Sequence, residues 1–321
     1  MWSVVGHDWI VKTWQQSINQ QRISHAYLLT GPAQIGKTTL AKCFAQALNC
    51  AGENKPCGEC ISCRKMAHGT HPDFRIIEGT GGAIKIDQIR MLQSEVALSA
   101  YESPWKVYVL RNMGQATAEA ANCLLKTLEE PPGHVILVLT AVSNWALLPT
   151  IVSRCQLLAL RPLSAEVVRQ ALLSRWHVAG EKADLVARLA NGRMGWAVAA
   201  VEDGSLLEKR SRIVGQVMQM TTARHFEQMS YAEQLSAQRD DIQMVLNIWQ
   251  TWWRDLLLIK MGMENLIVNL DRQAELKAQE VRYSVRQIAE FLTALLTTMQ
   301  RLEQDVNPRL ALEVLFLRLP S

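Results

Sequence analysis

The chain has 321 residues, 49% of them hydrophobic and 20% charged, with 34 Lys and Arg against 30 Asp and Glu. This balance excludes wholesale disorder, and a net charge of +4 is too small for a polybasic nucleic-acid coat or membrane anchor. The length is about twice the 150 or so residues of an ordinary domain, so two or three cores are expected.

The amino terminus, MWSVVGHDWIVKTW, lacks a basic stretch followed by an apolar core, which predicts no secretory signal and a cytoplasmic protein. Seven cysteines then point to reduced thiols, free or metal-bound and not paired. Apolar spacing predicts a helix over 10–18, a short buried strand AYLLT at 26–30, and a second helix over 37–48. Further on, FRIIE (74–78), KVYVL (106–110) and VILVLT (135–140) are β-rich runs of the length of central parallel strands, with crossover helices over 86–98 and 117–128. The uncharged stretch 135–153 is broken by Ser143, Asn144 and Pro149, so it predicts a strand and a loop instead of a membrane span. Strand–helix alternation of this kind predicts a three-layer α/β domain around a parallel sheet. After Arg161-Pro162 the strands stop. A small helical block over about 164–205 contains the turn Asn191-Gly192, and the chain is helical from about 206 onward. Ile242, Val245, Leu246, Trp249, Trp252, Trp253 and Leu256 form one wide apolar stripe, which predicts helix packing and not a cofactor box.

Between the first strand and its helix lies GPAQIGKTT: Gly31, Pro32, Ala33, Gln34, Ile35, Gly36, Lys37, Thr38 and Thr39. Gly31, Gly36, Lys37 and Thr38 satisfy G-x-x-x-x-G-K-[ST] in the required strand–loop–helix setting. A small-residue loop turns successive amides toward phosphate oxygens, and the following helix presents its positive end. Lys37 would reach the β- and γ-phosphates, and Thr38 would hold Mg²⁺. A hydrolysing relative needs carboxylates at the end of a later strand to organise metal and water. Here KVYVL is followed by Arg111-Asn112, neither of which acts as a base. Binding of ATP or ADP without turnover is the expectation.

Cys50, Cys57, Cys60 and Cys63 give C-x6-C-x2-C-x2-C, with Gly52, Pro56 and Gly58 making turns. Four thiols so spaced predict a closed, structural Zn²⁺ site with no open position. An iron–sulfur cluster is the alternative by spacing, and free thiols are another, but there is no following Cys-Pro and no second cluster. His68 and His71 read as surface or supporting groups; Cys43, Cys123 and Cys155 read as packing residues.

SHAYLLTGP with its phosphate loop, the four-cysteine insert, LLKTLEEPP (124–132), Ser153-Arg154-Cys155 and NPRLALEVLFLRL (307–319) together resemble the bacterial clamp-loader family. This is the delta-prime and gamma/tau group of DNA polymerase III subunits, within the AAA+ superfamily. The resemblance implies an AAA+ α/β domain with a RecA-like sheet over 1–161, carrying the zinc insert at about 50–66. It implies a helical lid over 162–205 and an all-α collar over 206–321. Departures within the family point to its non-hydrolysing, delta-prime side: the Asp-Glu pair is replaced by Arg111-Asn112, and Gly195 stands at the sensor-arginine position with Arg193 out of register. An active gamma/tau-like motor is the alternative. By the same resemblance, Arg154 would be an arginine finger completing a neighbouring subunit's ATP site, and Thr140 would occupy the sensor-1 position. Lys126 would face DNA or a neighbour, or solvent. The implied partners are gamma/tau and delta subunits, the sliding clamp and, indirectly, primed DNA; the chain would be a component of the polymerase holoenzyme without chemistry of its own.

Overall fold

A computed structural model describes residues 2–79, 81–302, 304 and 306–320. Its sheet runs through β1 (Ala26–Thr30), β2 (Phe74–Ile77), β3 (Lys106–Leu110), β4 (Val135–Ala141) and β5 (Gln156–Ala159). The strands are all parallel and lie in the order β2-β3-β4-β1-β5. Every residue of β1, β3 and β4 is buried, as strands covered on both faces must be, which is why they read as unbroken apolar runs.

Alternate residues of one strand serve two cores. Tyr27 and Leu29 pack with Ile10 and Trp14 of α1 (Asp8–Asn19) and with Leu40 and Phe44 of α2 (Lys37–Leu48). Trp14 stacks on Phe44 with ring centroids 4.1 Å apart. After α3 (Ile61–Ala67) in the cysteine insert, α4 (Ile86–Val96) and α5 (Ala118–Glu129) cover the other face. There Ala26 and Leu28 meet Ile89, Leu92 and Leu124. The result is the expected three-layer α/β architecture. Thr117 caps α5 by accepting the Ala120 amide, and Pro131-Pro132 follow its end.

One strand is absent from the sequence-based expectation. β5 follows the short α6 (Pro149–Val152), pairs only with β1, and buries just one of its four residues. A short, half-exposed edge strand carries neither a continuous buried run nor a clean alternation, so its signal is weak.

The chain divides into two units, Met1–Trp176 with Ala190–Ala197, and His177–Leu189 with Val198–Ser321. The first contains α7 (Ala165–Arg175), capped by Ser164, and the start of α9 (Met194–Glu202). The second contains α8 (Gly180–Leu189), α10 (Ser205–Met220), α11 (His225–Ala237), α12 (Arg239–Lys260), α13 (Gln273–Glu280), α14 (Val285–Leu302) and α15 (Pro308–Phe316). Trp249, Trp252 and Trp253 of α12 are fully buried, and Trp253 meets Phe291 of α14 at 4.6 Å between centroids. The aromatic stripe is core, as expected. Asn307 caps α15 by accepting the Arg309 and Leu310 amides, with Pro308 at the first helical position. Among the described residues, no helix is long and apolar enough to cross a membrane.

Candidate functional site

The carboxyl edge of the sheet gathers the groups of interest. β1 and β3 flank β4, with Leu29 level with Thr140 and Leu110 level with Leu139. The loop leaving β1, the residues ending β3 and Thr140 therefore share one end of the sheet, where ligands of open α/β folds bind.

The loop Gly31–Gly36 turns sharply, with φ of +141° at Gly31, +60° at Gln34 and +110° at Gly36. A Cβ at Gly31 would lie 2.6 Å from the Leu160 carbonyl oxygen, so space as well as backbone requires glycine there. Thr38 and Thr39 follow at the start of α2. Lys37 is 7% exposed and donates through Nζ to the carbonyls of Gly31 (2.5 Å) and Pro32 (2.8 Å). Burial pushes its ammonium down to about 8, and the nearby charge of Arg111 adds to the effect. The loop thus holds a cation that any phosphate would further stabilise.

Arg111 forms an ion pair with Glu78, at the end of β2. Asn112 has a left-handed backbone, and its amide donates to Thr140 Oγ1 at 3.1 Å. Thr140 is buried, and its hydroxyl oxygen accepts that backbone amide. The chain offers no carboxylate between Arg111 and Thr117, and the acid that lies close, Glu78, is neutralised by Arg111.

Gly195 reaches the same loop. Its amide donates to the Gln34 carbonyl at 2.7 Å, and a Cβ there would lie 2.6 Å from that oxygen. Arg193 is turned elsewhere: Nε donates to the Ala190 carbonyl, and the guanidinium lies 5.8 Å over the Trp196 ring. The Asn191-Gly192 turn has positive φ at both residues.

Arg154 sits in the turn between α6 and β5. Nη1 donates to the Thr150 carbonyl (2.9 Å) and Ser153 Oγ (3.4 Å), and Nη2 pairs with Glu129 Oε1 at 2.8 Å. Sequence reasoning missed Glu129, because a partner 25 positions away leaves no spacing signal.

Cys50, Cys57, Cys60 and Cys63 come together with their sulfurs all within 4.8 Å of one another. Backbone amides point at them: Gly52 and Cys57 donate to Cys50 Sγ, Cys60 to Cys57 Sγ, and Cys63 to Cys60 Sγ, at 3.3–3.4 Å. Such donors favour thiolate, and they draw Cys57 down to about 6. Cys63 is pushed up to about 12 by burial. The donor set fits a four-coordinate metal ion. The insert is tied to α2 by Gln46 Nε2, which donates to the Cys63 carbonyl at 3.0 Å. His71 is buried, contrary to a surface reading, and meets Ser62 Oγ and Ser103 Oγ at 3.1 and 3.0 Å. Asp73 beside it accepts the amides of Tyr101, Glu102 and Ser103. Cys123 and Cys155 pack against the α4–α5 face, and Cys43 Sγ lies 3.1 Å from Ser3 Oγ.

Comparison with known proteins gives this arrangement relatives. A family described as DNA polymerase III, delta subunit matches residues 6–164, and its C-terminal counterpart matches residues 205–320. The chain is 30% identical over 318 residues to DNA polymerase III subunit delta' of Bacillus subtilis, covering 97% of this chain and 95% of that one. It is 40% identical over 153 residues to the delta' subunit of Pseudomonas aeruginosa, covering 46% of this chain and 47% of that one. It is also 28% identical to the B. subtilis tau subunit, over 97% of this chain but 60% of tau. A solved gamma-subunit-related protein of Thermotoga maritima matches 95% of this chain and 98% of its own at a TM-score of 0.42 and 16% identity. The near-complete match to a delta' subunit settles the relationship: the chain belongs to the delta-prime family of DNA polymerase III clamp-loader subunits.

Proposed function

We propose that the chain works in clamp loading as a subunit that holds nucleotide without cleaving it and lends Arg154 to the ATP site of a neighbouring motor subunit. The observation that carries the first half is the pairing of an intact phosphate loop with Arg111-Asn112 at the end of β3, where metal-organising acids would otherwise stand. Gly31–Thr39 would bind ATP or ADP, and the Thr38 hydroxyl would hold Mg²⁺. With no base or metal-bound water aligned, several kcal/mol of transition-state stabilisation are missing. Support for the second half is the placement of Arg154 on the surface turn after α6, its side chain 35% exposed. A planar guanidinium there can serve a phosphate across a subunit boundary.

The four cysteines would hold one structural Zn²⁺. The proposed division of labour is a nucleotide domain over 1–161, a lid over 162–205 and an oligomerisation collar over 206–321. The collar would join this subunit to gamma/tau and delta partners in the cytoplasm, and the assembled ring would place a sliding clamp on primed DNA. The test is phosphate release. The purified chain alone is expected to bind nucleotide and release no phosphate, and turnover is expected on adding motor and delta subunits. Vigorous hydrolysis by the isolated chain would instead make it a motor.

A further inference from the structure

The sequence LLKTLEEPP has no role in the reading above, yet its last helical residue touches Arg154. Glu129 is the last residue of α5 and pairs through Oε1 with Arg154 Nη2 at 2.8 Å. A carboxylate in the last turn of a helix faces the negative end of the helix dipole, so Glu129 is unfavourable there unless a cation offsets it. Arg154 is that cation. Its Nη1 is fixed independently by the Thr150 carbonyl and Ser153 Oγ, so the guanidinium is held between two elements, α5 and the turn after α6. Among the described residues, Nε takes no hydrogen bond and Nη2 has only its ion pair with Glu129, which leaves N–H donors for an oxyanion.

We propose that Glu129 is the positioning residue that aims Arg154, and that it does so by charge. An exposed arginine without this partner samples many rotamers and holds its unused donors in no one direction. The inference rests on the reading of Arg154 as a donor in trans. Being an ion pair with both side chains partly exposed, the contact is strong enough to bias a rotamer and weak enough to be shared with a second anion.

The test uses the full chain assembled with its motor and delta subunits, with ATP turnover measured in the presence of clamp and primed DNA. Glu129→Ala is expected to lower kcat on the order of five-fold with KM for ATP unchanged. Glu129→Gln, which keeps an acceptor oxygen, is expected to fall less, and Glu129→Lys, which repels the guanidinium from the same exposed position, to fall further. In an Arg154→Ala background this order is expected to vanish, a result that a merely structural role for Glu129 would not produce. Equal rates for all three variants would overturn the inference, and so would a rate above wild type, since Glu129 would then restrain the arginine instead of aiming it. Should Arg154→Ala itself leave turnover untouched, the donation in trans fails first and the role of Glu129 falls with it.

Discussion

Lys37 shows how one side chain reports on the site. Burial removes its ammonium from water and the Arg111 charge adds to the effect, so despite two carbonyl acceptors it is pushed down to about 8 from the usual lysine range. A bound polyphosphate would restore the favourable field and raise that value again. Nucleotide binding is therefore expected to take up about half a proton per site at pH 8, approaching one about a unit higher, and affinity is expected to fall as pH rises through this window. Calorimetry in two buffers of different ionisation enthalpy measures the uptake; identical apparent enthalpies would contradict it. Lys37→Ala should abolish the uptake and weaken nucleotide retention while leaving clamp loading nearly intact, because no chemistry is assigned to this loop. Arg154→Ala makes the opposite contrast. It should leave nucleotide retention and ring assembly unchanged, while the adjoining motor site slows by roughly 10³-fold, in keeping with arginine fingers in related hydrolases. Single-turnover hydrolysis in the reconstituted ring checks that figure.

Among the elements, the cysteine insert and the segment after α12 are each held by a local network. In the insert, small zinc peptides gain about 10–16 kcal/mol from the metal, enough to order a segment of this size. One zinc per purified chain is expected, and a chelator should expose residues near 50–66 to protease while β2 stays protected by the His71–Asp73 contacts. Iron with visible absorbance would overturn the assignment. In the second unit, Asp255 is completely buried, and its Oδ2 accepts the Val268 and Asn269 amides and Asn269 Nδ2 at 2.7–2.9 Å. Asp255→Ala would strand these donors and is expected to cost about 3 kcal/mol, read as a lower urea midpoint. The elements differ in how well the sequence announces them. β1, β3 and β4 are legible because burial on both faces demands apolar residues at every position, and α12 because its stripe recurs at helical spacing. The phosphate loop and the cysteine cluster are legible because each is one short segment with a fixed spacing. β5, the burial of His71 and the Glu129–Arg154 pair are not, since all depend on contacts between distant segments that no local pattern encodes.

Taken as a whole molecule, the chain pairs a phosphate loop at the carboxyl edge of its sheet with Arg111-Asn112 at the end of β3, and the proposal is that such a pairing holds nucleotide without cleaving it. If turnover failed only for want of carboxylates, Arg111→Asp with Asn112→Glu would revive it. The double variant is instead expected to remain silent in a phosphate-release assay of the isolated chain, because Gly195, packed on the Gln34 carbonyl, leaves no room for a cationic side chain beside the loop. Measurable hydrolysis by that variant would show the two acids to be sufficient. Gly195 shows how little room this end of the phosphate loop has. Its amide lies on the Gln34 carbonyl so closely that no side chain of any kind fits without the loop retreating. An arginine placed there would push the phosphate loop out of shape before its charge could serve a bound nucleotide.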